Sequence, residues 1–119
     1  INHTMIVSDL IKQFGLVTYR GHNGLDREVT GGYASDLLSD VMGHAREGQV
    51  WITLQTHKNV MAIASLKDLA CVILVKGNEP DEDAAQQSNE EGVPILGTTR
   101  QAFEMAGELY EAFKKDALV

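Results

Sequence analysis

Ala70-Cys71-Val72-Ile73-Leu74-Val75 is the stretch on which the fold of this chain turns. Six apolar residues run between Asp68-Leu69 and Lys76-Gly77. They are too few for a stable helix, and three of them are β-branched. The run has no polar side, as in a strand covered on both faces, the usual state of a central parallel strand. Downstream, Gly77-Asn78-Glu79-Pro80 turns the chain into a predicted helix over 81–91. Its first turn, Asp81-Glu82-Asp83, complements the positive end of the helix dipole. A strand over 93–96, the turn Gly97-Thr98-Thr99 and a last helix to about Lys115 follow. That helix has an expected core stripe of Ala102, Phe103, Ala106, Tyr110 and Phe113, and Thr98 and Gln101 stand at capping-box spacing.

Upstream the pattern repeats. A mostly apolar helix over 59–69 is preceded by the turn Gln55-Thr56-His57 and a strand over 50–54. Before Gly48, Tyr33, Leu37, Val41 and Ala45 recur at i, i+4, with Ala34, Leu38 and Met42 beside them, which predicts an amphipathic helix opened by Val29-Thr30-Gly31-Gly32. Further back lie a polar loop over 20–28, a short strand over 16–19, and a helix capped by Ser8 that Gly15 ends after Phe14. Alternating strands and helices with short connections imply an α/β domain with a mainly parallel sheet of four to five strands and helices on its faces.

The chain has 119 residues, enough for one core. Met5 reads as a natural start, so the domain is expected over 5–119, with residues 1–4 an added remnant. The net charge of −7 offers no basic patch for nucleic acid. Ten acidic and four basic residues lie from Lys76 onward, against seven and six before it, so the excess acid belongs to the C-terminal half. Cys71 is the only cysteine and sits in the apolar run, so a buried, inert thiol is expected. There is no secretory signal and no membrane-length apolar stretch, and a reducing cytoplasm fits these features. His3, His22 and His44 have no metal spacing with one another or with Cys71, and neither metal nor cofactor is expected. The chain contains no phosphate loop, dinucleotide fingerprint or nucleophile elbow. Asp36 and Asp40 on one helix face read as a solvated pair.

In an open parallel sheet, ligands bind beyond the carboxyl ends of the strands. Four strand-to-helix turns are expected there: Thr30-Gly31-Gly32, Gln55-Thr56-His57, Gly77-Asn78-Glu79 and Gly97-Thr98-Thr99. Helix N-termini favour anions, and Arg27, Lys58, Lys76 and Arg100 stand nearby. The same residue types also serve as plain caps and turns in any helix start. His57 is the best-placed histidine, and Trp51 reads as core or interface rather than a stacking platform.

Asp26-Arg27-Glu28-Val29-Thr30-Gly31-Gly32 resembles the signature of the DRTGG domain, with Glu28-Val29 standing between Arg and Thr. Residues 33–41, Gln55-Thr56-His57-Lys58-Asn59 and Gly77-Asn78-Glu79-Pro80 also look familial, and the similarity runs from about Met5 to Phe113. The resemblance implies a three-layer α/β/α fold, similar to the N-terminal domain of HPr kinase/phosphorylase. It implies a regulatory role: family members occur fused to CBS domains and phosphotransacetylases, or stand alone beside iron-hydrogenase genes. A serine-kinase activity is not implied, because that activity belongs to a separate domain with a phosphate loop.

Three functions follow as expectations. The first is a non-catalytic regulatory domain holding a small anionic ligand, nucleotide or metabolite, through Asp26, Arg27, Thr30, Gly31, Gly32, Gln55, Thr56, His57, Asn59, Asn78, Glu79, Thr98 and Thr99. The second is an assembly module that forms a homodimer or docks on a redox enzyme system. The third is an enzyme using His57 as acid or base, for which no partner residue is identifiable.

Overall fold

Side-chain alternation along the strands divides the core in two. In the computed structural model, which describes residues 4–119, β3 (Gln49–Thr53), β4 (Cys71–Leu74) and β5 (Ile95–Gly97) are almost wholly buried. Val50, Ile52, Cys71, Ile73 and Leu96 point to one face, and Trp51, Val72, Leu74 and Ile95 to the other. That period of two is what a strand covered on both sides requires. The first face packs against α1 (Val7–Phe14) and α5 (Ala102–Lys115), through Val7, Leu10, Met105, Leu109 and Phe113. The second packs against α2 (Leu38–His44), α3 (Lys58–Leu66) and α4 (Glu82–Glu91), through Val41, Val60, Met61, Ala64 and Ala84. The architecture is the expected three-layer α/β/α. The reading of residues 1–4 as a remnant falls, apart from Thr4, outside the described residues.

The five strands lie in the order β1-β5-β4-β3-β2, with β1 (Val17–Arg20) antiparallel on β5 and the other four parallel. Along β2-β3-β4-β5 each strand pairs with the next in sequence, and α2, α3 and α4 make the connections on one face. After β5 the chain crosses to the other face as α5.

Two expectations fail here. The glycine pair of Val29-Thr30-Gly31-Gly32 is not a strand-to-helix turn. It opens β2 (Gly31–Ala34), which pairs with β3 in the register Gly31↔Gln49 to Ala34↔Ile52. Tyr33 and Ala34 are therefore strand residues, and the helix starts only at Leu38. Gly32 lets α5 sit close to the strand: a Cβ there would stand 3.3 Å from the Phe113 ring, which would have to shift by a few tenths of an ångström. The stripe expected in α5 is also rotated. Met105, Leu109, Ala112 and Phe113 are buried, whereas Phe103 is 91% exposed and Tyr110 59%.

Smaller details follow local chemistry. Ile6, not Ser8, occupies the cap position of α1, and its N–H donates to Asp9 Oδ2 at 2.9 Å. Gly15 ends that helix with φ 63°. At α5 the capping partners are Gln101 and Glu104 rather than Thr98 and Gln101. Cys71 is fully buried, and burial pushes its thiol up to about 12. No helix among the described residues is long and apolar enough to cross a membrane.

Candidate functional site

Three of the four turns lie together at the carboxyl margin of the sheet, and direct hydrogen bonds join them. Lys76 N–H donates to the Arg100 carbonyl at 2.8 Å and Gly77 N–H to the Thr98 carbonyl at 2.9 Å. These bonds tie the turn after β4 to the turn after β5. Asp81 N–H donates to the Thr56 carbonyl at 2.9 Å, and Thr56 Oγ1 to Asp81 Oδ1 at 3.2 Å, which tie the turn after β3 to the start of α4. At the same margin Asp36, just after β2, accepts from Thr53 Oγ1 at 2.8 Å and from Leu54 N–H at 2.7 Å.

Several of the expected ligand-binding side chains are engaged locally. Gln55 Nε2 donates to the Asp36 carbonyl at 3.0 Å, and Asn78 Nδ2 to the Val75 carbonyl at 3.0 Å. Thr98 is buried beneath the Arg100 guanidinium, which donates to Thr98 Oγ1 at 3.2 Å and the Phe14 carbonyl at 3.0 Å. The same guanidinium pairs with Glu108 at 2.6 Å. His57 caps α3 through its backbone with no side-chain cap bond, and Asn59, Glu79 and Thr99 are exposed. The margin is not uniformly positive. Asp36 and Asp81 make its β3 side acidic, while Lys76 stands over the junction of β4 and β5. Lys76 holds φ at 61°, a left-handed conformation uncommon outside glycine.

The fourth turn lies at the opposite end of the sheet, and the signature residues there act as a brace. Arg27 Nε donates to the Leu69 carbonyl at 3.2 Å, and its guanidinium forms an ion pair with Asp68. Thr30 N–H donates to the Gly48 carbonyl and Thr30 Oγ1 to the Glu47 carbonyl, each at 2.9 Å. The chain segments that enter β2, β3 and β4 are thereby bound to one another. Asp26 is exposed beside them. A polar hollow of about 460 Å³ opens here, lined by Arg27, Glu28, Thr30, Glu47, Gly48, Asp68 and Ala70. Asp26, Arg27, Thr30, Gly31 and Gly32 thus cannot share one pocket with the three turns at the far margin. Arg27→Ala is expected to cost about 1–2 kcal/mol, chiefly because it unpairs the Leu69 carbonyl, while the exposed Asp68 is left to water. Chemical denaturation checks this.

A second cavity, of about 390 Å³, was not foreseen. It lies between β2 and α5, lined chiefly by Gly32, Ala34, Ile52, Ala106, Tyr110 and Phe113, with Phe103 and Val119 on its rim. The signal available in the sequence was the apolar content of the stripe holding Phe103 and Tyr110, which periodicity alone assigned to the core. On the other face of β2, Tyr33 OH donates to Asp40 Oδ2 at 2.9 Å. That bond holds the Asp40 carboxyl below its ordinary range and raises the Tyr33 phenol. Among the described residues no group of three His, Cys, Asp or Glu side chains could hold a metal ion.

A family model described as the DRTGG domain matches residues 16–112. Among solved structures, the fold is similar to the CBS and DRTGG domains of the regulatory region of Clostridium perfringens pyrophosphatase, complexed with its activator diadenosine tetraphosphate. The TM-score is 0.69 at 10% identity. The match covers 87% of this chain and 45% of that one, so the chain spans less than half of the regulatory region it resembles. No curated protein matches the sequence.

Proposed function

The chain belongs to the DRTGG domain family, and from that premise we propose that it is a non-catalytic regulatory domain that senses a small anionic ligand, a nucleotide or metabolite. The observation that carries this reading is the junction of β4 and β5. The connection after β4 leaves to one face as α4 and the connection after β5 to the other as α5, and such a parting of connections is where open α/β sheets hold ligands. At this junction Lys76 is held in a left-handed conformation, a form of strain that gathers at ligand clamps. The proposed seat is the surface above the two backbone bonds that join the turns, with Lys76 over it and Asn78, Thr98 and Thr99 at its edge. Gln55, Thr56, His57 and Asn59 flank it towards the acidic side, and Glu79 lies towards Tyr19 of β1 on the other side. The nucleotide activator of the similar pyrophosphatase region supports the class of ligand.

Thermal-shift measurements against nucleotides, phosphates and carboxylates test the reading. A true ligand at a hundredfold excess over its Kd stabilises by ~2.7 kcal/mol, and Lys76→Glu is expected to erase that gain. A panel in which no member raises the melting temperature would sink the proposal. A second reading, the assembly module, is favoured by the apolar cleft between β2 and α5.

A further inference from the structure

We infer that Tyr19 of β1 completes the ligand seat at the junction of β4 and β5, and that with Glu79 it selects a sugar phosphate, free or as part of a nucleotide, over a bare anion. The inference rests on the ligand reading of that junction, and it adds a ligand class and a contact residue.

Three features bring Tyr19 to the junction. The first is a bulge. β1 pairs with β5 as Thr18↔Leu96 and Arg20↔Ile95, so Tyr19 has no partner in the ladder. A bulge of this kind bends its strand and re-aims a side chain. The ring turns to the face that carries α4 and packs beside the second core cluster. The second feature is Gly97, the last residue of β5. A Cβ on Gly97 would stand 2.6 Å from the Tyr19 hydroxyl oxygen, so the phenol end of the ring fills the space a side chain there would take. That space is at the carboxyl end of β5, next to buried Thr98. The third feature is the turn after β4, which reaches the same place. Gly77 N–H donates to the Thr98 carbonyl at 2.9 Å, and Glu79 of that turn lies close enough to act on the phenol. Burial first, and then the charge of Glu79, raises the Tyr19 phenol above its ordinary value, so at neutral pH it keeps its proton.

The chemistry of the pair points to the ligand class. The Tyr19 ring is half-buried, yet its hydroxyl makes no hydrogen bond to the described residues. It is a donor without a protein acceptor, and the exposed Glu79 carboxylate is acceptor-only. A donor and an acceptor side by side suit a hydroxyl group, which accepts from one and donates to the other. They do not suit a bare phosphate, which Glu79 repels. The positive charge of the seat comes from Lys76, because the Arg100 guanidinium is paired with Glu108 at 2.6 Å. A ligand with an anionic end for Lys76 and a hydroxylated end for Tyr19 and Glu79 satisfies all three groups. Dinucleotide-binding α/β sheets use an acidic side chain in the same way, to hold a ribose hydroxyl.

Isothermal titration calorimetry with AMP, ribose 5-phosphate and inorganic phosphate tests the inference. At least one of the two sugar phosphates is expected to bind about tenfold or more tighter than inorganic phosphate. Binding of AMP alone marks a nucleotide site, and equal binding of ribose 5-phosphate marks a site that reads only the sugar. Tyr19→Phe should weaken the bound sugar phosphate about tenfold, the scale of one lost hydrogen bond. Glu79→Gln should weaken it too, without weakening inorganic phosphate. Because the hydroxyl bonds to no protein group, Tyr19→Phe should melt with the wild type. A Tyr19 that merely fills the space over Gly97 leaves binding unchanged in Tyr19→Phe, and that result overturns the inference. Inorganic phosphate binding as tightly as both sugar phosphates overturns it as well. In either case the ligand reading survives, provided Lys76→Glu abolishes binding. A wild type that binds neither sugar phosphate also removes the inference, and the ligand reading then rests on the wider thermal-shift panel.

Discussion

Trp51→Ala is expected to destabilise the domain by roughly 3–5 kcal/mol, a large part of the total for a chain of this size. Trp51 is fully buried in the middle of β3, packed in the cluster with Val41, Met61 and Leu74. Its indole N–H also donates to the Ser35 carbonyl at 2.8 Å, so the ring fixes the turn between β2 and α2. Truncation both opens a cavity and unpairs that carbonyl. Urea denaturation followed by circular dichroism measures the loss, and a cost under about 1 kcal/mol would show that the second core does not depend on this ring. Trp51→Phe separates the two contributions. It keeps most of the apolar volume and loses the hydrogen bond, so its cost should lie near that of an unpaired buried acceptor, about 1–3 kcal/mol.

Gly24→Ala is the second large effect, about 3 kcal/mol, at the upper end of what overpacking usually costs. Gly24 closes the short 3-10 turn His22–Gly24, which leans on the junction between α4 and β5. A Cβ at this position would collide with the Gly92 carbonyl oxygen and come within 2.9 Å of Pro94 Cδ. Neither the backbone nor the proline ring can swing aside as a flexible side chain would. The nearby backbone of Gly21 donates to Asn89 Oδ1 at 2.9 Å, so displacement of this turn should also loosen the end of α4. Thermal melting of the variant, with hydrogen exchange at residues 88–94, checks both effects. Unchanged protection there would refute the coupling.

The middle of the sheet was legible because its residues satisfy only one pattern. Val72, Ile73 and Leu74 have no polar face to offer, and Trp51 alternates with Val50 and Ile52. β2 was not legible. Gly31 and Gly32 have weak strand propensity, while Tyr33, Leu37, Val41 and Ala45 happen to satisfy helical spacing. What makes Gly31–Ala34 a strand is the tertiary pairing with β3 and the close approach of Phe113, neither of which is a local property. α5 failed for another reason. Two apolar stripes share that helix, one with Met105 and Leu109 and one with Phe103 and Tyr110. Periodicity finds both and cannot say which meets the sheet. Three of the four turns were placed at the correct margin because they follow correctly read strands. The signature turn was misplaced together with β2.

The antiparallel position of β1 has a consequence for how the chain acquires its shape. Pairing from β2 through β5 joins sequence neighbours, so each βαβ unit can form soon after the last and close only a short loop. β1 instead waits for β5, since Val17 lies against Gly97, and the closure spans most of the polypeptide. Long closures are entropically slow. During synthesis, then, β1 finds its mate only after β5 has been made, whereas the segment before it can already bond locally, Val7 to Arg27 and Val29 to Met5.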